Sequence, residues 1–124
     1  MLTLAPGWEL EVERGPNWLF VRILNLDPDS SEIPDLADHI WSLLQQHLTY
    51  RVVLEMDGIG LLRSELIGEL IRLQRRICQQ GGLLRLAGLS AENRRVLETC
   101  GLADRFPIYG CRRDAVLGCP SKPR

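Results

Sequence analysis

The chain has 124 residues, 45% of them hydrophobic and 25% charged, with a formal net charge of −1. That suits one domain able to bury its own core without disulfide or metal staples. No run approaches the roughly 20 apolar residues of a membrane span, and no basic region leads into an apolar run at the N-terminus, so the expected setting is cytoplasmic with no membrane partner.

In chain order, Trp8–Glu13 alternates apolar Trp8, Leu10 and Val12 with Glu9, Glu11 and Glu13, a strand with one wet face. "RGPN" at 14–17 supplies turn chemistry, and the more continuously apolar Trp18–Leu26 predicts an inner strand, so the two form an antiparallel hairpin. Ile33, Leu36, Ala37, Ile40, Leu43, Leu44 and Leu48 then fall at helical spacing. Ser30 or Ser31 is the expected cap, with Pro34 in the first turn. His39 and His47 on this helix read as surface or boundary imidazoles. Arg51–Asp57 is a short β-rich run. A second helix starts near Ser64, with Ile67, Leu70, Ile71, Gln74 and Ile77/Cys78 on one face, and Gly81 and Gly82 stop it. Leu83–Leu89 is another strand, Ser90 caps a third helix that Gly101 ends, "RFPIYG" is a short last strand, and Arg112–Leu117 forms one or two helical turns.

This order predicts an α/β fold: a mixed sheet of four to five strands, opened by the hairpin, with three to four packed helices. One domain over 1–118 is expected, with 119–124 as a fraying tail.

Charge is unevenly spread. Residues 1–50 carry 2 basic and 8 acidic groups, net −6, and residues 51–124 carry 13 basic and 8 acidic groups, net +5. The basic residues are scattered and no aromatic platform interleaves with them, so nucleic acid is not an expected partner. The cysteines, Cys78, Cys100, Cys111 and Cys119, form no CxxC pair and lie far from both histidines. No metal site is expected, the thiols should be free, and Cys78 and Cys100 read as small core residues.

No phosphate-binding GxxxxGK[ST] loop, GxSxG elbow or HExxH helix is present, and "GIG" at 58–60 lacks the third glycine of a dinucleotide fingerprint. Glu55 and Asp57 lie on one side of a strand end and read as solvated carboxylates. No nucleophile-base pair is visible, so neither an enzyme nor a cofactor is expected. What stands out is the strand-loop-helix junction at Ser64. Helix N-termini expose unpaired N–H groups and the positive end of the helix dipole, so a hydroxyl there can serve as cap, as phosphoacceptor or as both.

The stretch from Arg51 to Gly110 resembles the STAS domain of bacterial anti-sigma-factor antagonists. Asp57, Ser64, Gly81, Gly82, the run Leu97 to Leu102 and Phe106 fall in register with that family's pattern, and the hairpin and first helix fit in order and length. The resemblance implies a STAS-like fold and a binding module that engages an anti-sigma factor kinase, or a related histidine-kinase-like ATPase, and frees a sigma factor. It also implies that the kinase phosphorylates the first serine of the loop, which matches Ser64, and that this breaks the complex. The implied partner surface is Asp57, Gly58, Ile59, Gly60, Leu61, Leu62 and Arg63, with Glu65, Glu69, Arg72 and Arg76 on the following helix. The motif departs at Arg63, Glu65 and Leu66, where the family has aspartate, serine and glycine. Leu66 is expected to put a bulky side chain where a kinase approaches. The alternative is a degenerate STAS scaffold, or a ligand-sensing domain, without phosphorylation.

Overall fold

The computed structural model describes residues 2–5, 7–26 and 33–118. Within them lie β1 (Leu2–Ala5), β2 (Trp8–Arg14), β3 (Leu19–Asn25), α1 (Leu36–Gln46), β4 (Arg51–Glu55), α2 (Ser64–Gln79), β5 (Leu83–Ala87), α3 (Ala91–Thr99), β6 (Ile108–Tyr109) and α4 (Arg112–Leu117). The strands form one mixed sheet in sequence order, antiparallel from β1 to β3 and parallel from β3 to β6. The predicted hairpin and all five predicted strands are present. β1 extends the sheet at its edge, and its four residues were too few to show a period.

Alternation in the strands sorts side chains into two layers. Trp8, Leu10, Leu19, Val21, Ile23, Val52, Leu54, Met56, Leu84 and Leu86 face one way, into the main core under α1, α2 and α3. Trp18, Phe20, Val53, Ala87 and Tyr109 form a smaller cluster with Ala115 of α4. Parallel crossovers advancing steadily across a sheet place their helices on one face; among the described residues the other face packs against short α4.

Four expectations are corrected. The first helix starts at Leu36, so Ser30 and Ser31, outside the described residues, are not adjacent to its start. Pro34 lies two residues before the first helical residue, outside the first turn, and its carbonyl accepts from the Leu36 N–H at 2.7 Å. Asp35 is the N-cap residue without a side-chain capping bond; instead Glu69 of α2 accepts from the Ala37 N–H at 3.0 Å. Leu48 leaves the apolar stripe: α1 has ended, and Leu48 takes φ +53° and is 85% exposed. Cys78 is exposed, one residue and about 100° round the helix from buried Ile77, and Cys100 is exposed at the end of α3. Cys111 is also exposed, and all three are free. Cys119 and the tail 119–124 lie outside the described residues. No helix of the described residues is long and apolar enough to cross a membrane.

Candidate functional site

The segment from Met56 to Arg63 carries the chain from the end of β4 to the start of α2. Its first half is fixed to the sheet. The Met56 N–H donates to the Ala87 carbonyl at 2.8 Å, the Ile59 N–H to Met56 at 3.1 Å, and the Asn25 N–H to Gly58 at 3.2 Å. Gly58 is required by close approach: a Cβ there would lie 2.8 Å from the Ile23 carbonyl oxygen and 2.6 Å from Leu24 Cδ2.

The second half alternates inward anchors with outward residues. Ile59 and Leu62 are buried, which removes both from the expected contact surface. Apolar side chains gain more by entering the core than by facing water. Between and beside them Asp57 and Gly60 are exposed, and Leu61 is 54% exposed.

Sequence reading passed over Asn93, a fully buried side chain on α3. Its Oδ1 accepts from the Leu62 N–H at 2.9 Å, and its Nδ2 donates to the Ile59 and Gly60 carbonyls, both at 3.4 Å. A signal existed: Asn93 shares the inward stripe of α3 with Leu97, four residues on, and a polar group there needs partners.

Ser64 is not a cap, which settles the cap expectation. Arg63 occupies the N-cap position, with φ −86° and ψ 158°, and its side chain makes no capping hydrogen bond. Ser64 is the first helical residue, exposed, and its hydroxyl donates to Glu65 Oε1 at 3.1 Å. The Glu65 carboxyl is held below the usual carboxylate range, first by its own backbone N–H and then by that hydroxyl. A lowered carboxylate pKa means that this arrangement persists at neutral pH and is lost as acid protonates the group. Ser90, by contrast, caps α3 as expected, accepting from the Asn93 N–H at 3.1 Å. Ser90→Ala should therefore cost about 1 kcal/mol, whereas Ser64→Ala should stay within about 0.5 kcal/mol. Urea unfolding of the two variants checks this, and equal costs would contradict the geometry.

The α2 face is more committed to structure than the sequence indicates. Glu69 caps α1, accepts from Arg72 Nη1 at 3.2 Å and has a side chain only 14% exposed. Arg76 pairs with Asp38 at 2.7 Å and stacks over Trp41 at 5.4 Å. Both join α2 to α1. Leu66 is buried, so it does not obstruct the surface around Ser64. The outward ridge comprises Ser64, Glu65, half-buried Gly68, Arg72, Arg75 and Gln79.

Glu55 and Asp57 are not simply solvated. Glu55, buried on the α4 side of the sheet, accepts from Arg112 Nη2 at 2.5 Å and lies 3.6 Å from Arg22 Nη2. Asp57 lies 3.5 Å from Arg22 Nε, and Arg112 also pairs with Glu13 at 3.0 Å. Glu13, Arg22, Glu55 and Arg112 border a cleft of about 500 Å³, which Glu11 and Val12 also line. Among the described residues no group of three or more His, Cys, Asp or Glu side chains is arranged to hold a metal ion.

A family model described as the STAS domain matches residues 11–115. Solved structures resemble the chain over most of its length. An anti-sigma-factor antagonist (STAS) domain protein from Planctomyces limnophilus is 20% identical, with 90% of this chain and 98% of that chain covered and a TM-score of 0.74. An anti-sigma factor antagonist from Mycobacterium paratuberculosis is 19% identical, with 94% and 98% covered and a TM-score of 0.73. A variant of RsbS from Moorella thermoacetica is 14% identical, with 89% and 93% covered and a TM-score of 0.72. No curated protein matches the sequence.

Proposed function

The chain belongs to the STAS domain family, and from that premise we propose that it is a non-catalytic regulatory binding module of the anti-sigma-factor-antagonist kind. It docks an anti-sigma factor, a histidine-kinase-like ATPase, through Asp57, Gly60, Leu61, Arg63, Ser64, Glu65 and Arg72. Phosphate on Ser64 releases the partner. The observation that carries this reading is the exposed Leu61 and Ser64 on a rim whose neighbours Leu62 and Leu66 are buried. An apolar residue beside a hydroxyl offers desolvated contact area next to a modifiable group. A phosphate there adds roughly two negative charges, which breaks an apolar contact by desolvation cost.

Glu65 favours a second reading, a constitutive docking scaffold. Its carboxylate holds the Ser64 hydroxyl at 3.1 Å and would repel a phosphate on it. The two readings separate by experiment. Immobilised wild-type chain should retain an ATPase-domain protein from its native cell, and Leu61→Glu should lose it by tenfold or more, about 1.4 kcal/mol. Under the switch reading Ser64→Asp also loses it, Ser64→Ala keeps it, and incubation with that ATPase and ATP puts one phosphate on Ser64. If Ser64→Asp binds as wild type and no phosphate appears, the scaffold reading stands. If Leu61→Glu binds as wild type, the loop is not the docking surface.

A further inference from the structure

We propose that Asn93 is the positioning residue of the docking loop: it holds Gly60–Ser64 in one conformation, so that a partner meets a preformed surface. This inference rests on the reading of that loop as the docking surface.

Burying an amide is unfavourable unless its groups are hydrogen-bonded, and an apolar side chain of the same size would fill the position without that cost. The groups that this amide satisfies therefore identify its role. All three side-chain bonds of Asn93 go to the loop, to Leu62 N–H and to the Ile59 and Gly60 carbonyls, across sequence separations of 31 to 34 residues. None serves the helix that carries it. The backbone of Asn93 is fixed separately, by the Ser90 cap at 3.1 Å. The clamp thus has a rigid base on α3 and reaches across to α2's leading loop. The first half of that loop is bonded to β3 and β5 through Gly58 and Met56. The second half, which bears Leu61 and leads to Ser64, is tied down through Asn93 and through the buried Leu62 side chain. Fixing this half in advance removes the ordering entropy that a partner would otherwise have to overcome on docking.

The test compares Asn93→Leu, which keeps the branched side-chain skeleton and removes the hydrogen bonds, with Asn93→Ala, which removes them without adding bulk. Amide exchange at Leu62 should accelerate by about tenfold or more, while amides of β3, β4 and β5 keep their protection. Trypsin should cut after Arg63 in the variants before it does so in the wild type. Affinity for the ATPase retained in the preceding experiment should fall by a similar factor. Unchanged exchange at Leu62 and unchanged cleavage at Arg63 in both variants would overturn the proposal. So would global unfolding of both, since Asn93 would then be a core residue and nothing more. Leu61→Glu distinguishes the remaining failures, because it alters the docking surface and leaves the clamp intact. If it abolishes binding while a loosened Asn93→Leu loop binds normally, docking stands and positioning is wrong. If neither variant changes binding, the docking reading fails and the positioning role fails with it.

Discussion

Gly82→Ala is expected to destabilise the fold by about 3 kcal/mol or more, and to lower the melting temperature by roughly 10 °C or more. A Cβ at Gly82 would lie 2.1 Å from the Tyr50 carbonyl oxygen, 2.7 Å from Tyr50 Cβ and 2.9 Å from Ile77 Cγ2. The nearest of these atoms is backbone, and it cannot swing aside as the end of a long side chain can. The same Tyr50 carbonyl accepts from the Leu83 N–H at 3.0 Å, at the start of β5. Relieving the clash therefore means moving β5 away from β4, in the middle of the parallel sheet. Gly81 is the control. It has φ +73° and nothing within 4 Å of a Cβ, so Gly81→Ala should cost only the left-handed backbone penalty, about 1 kcal/mol. Chemical denaturation of the two variants gives the comparison. Equal costs would show that both glycines serve only to end α2, and that the contact with Tyr50 relaxes freely.

Glu55→Ala should cost about 2 kcal/mol and loosen α4 before the rest of the protein. Its side chain is 10% exposed and sits between the guanidinium groups of Arg112 and Arg22. Arg112 also lies over the Phe20 ring at 4.3 Å, which ties the first residue of α4 to the sheet. Removing one member of a buried ion pair costs about 3–5 kcal/mol. Both arginines here are a third or more exposed, so water recovers part of that loss. Without Glu55 the two cations face each other unscreened by their shared acid. The second tie of α4, Arg85 Nη1 to the Ala115 carbonyl at 2.6 Å, remains. Glu55→Gln keeps an acceptor and should cost less. The pairing with Glu55, and then with Glu13, raises the Arg112 pKa above the ordinary arginine value. A raised pKa means that the arginine's share is complete below the unfolded pKa and is lost only above the folded one, so alkaline titration through the usual range should leave the cost unchanged. Hydrogen exchange should show faster exchange in residues 112–117 with β3 to β5 protected. A variant with α4 as protected as in the wild type would contradict this account.

The element order, the hairpin, the mixed sheet and the family resemblance are all legible in the amino-acid sequence. These depend on local information: the period-2 alternation of Trp8–Glu13, the helical stripe from Ile67 to Ile77, the Ser90 cap and the Gly81 stop. Each is read within a few residues of itself, because backbone geometry fixes which side chains share a face. What each polar group at the site does depends on packing between distant elements. Ser64 is a first helical residue and not a cap because the chain enters α2 extended at Arg63. Glu69 and Arg76 are bound to α1 residues more than thirty positions away, and Ile59 and Leu62 are drawn into the core. Glu55 belongs to an ion pair with α4, 57 residues on, and Asn93 belongs to a loop 31 to 34 residues before it. Gly81 and Gly82 adjoin in sequence, yet one meets a backbone-angle demand and the other a packing demand set by Tyr50. Hydrogen bonds and ion pairs act over about 3 Å of space, whatever the sequence distance, so their partners become known only when the sheet order brings β3, β4, α2, α3 and α4 together.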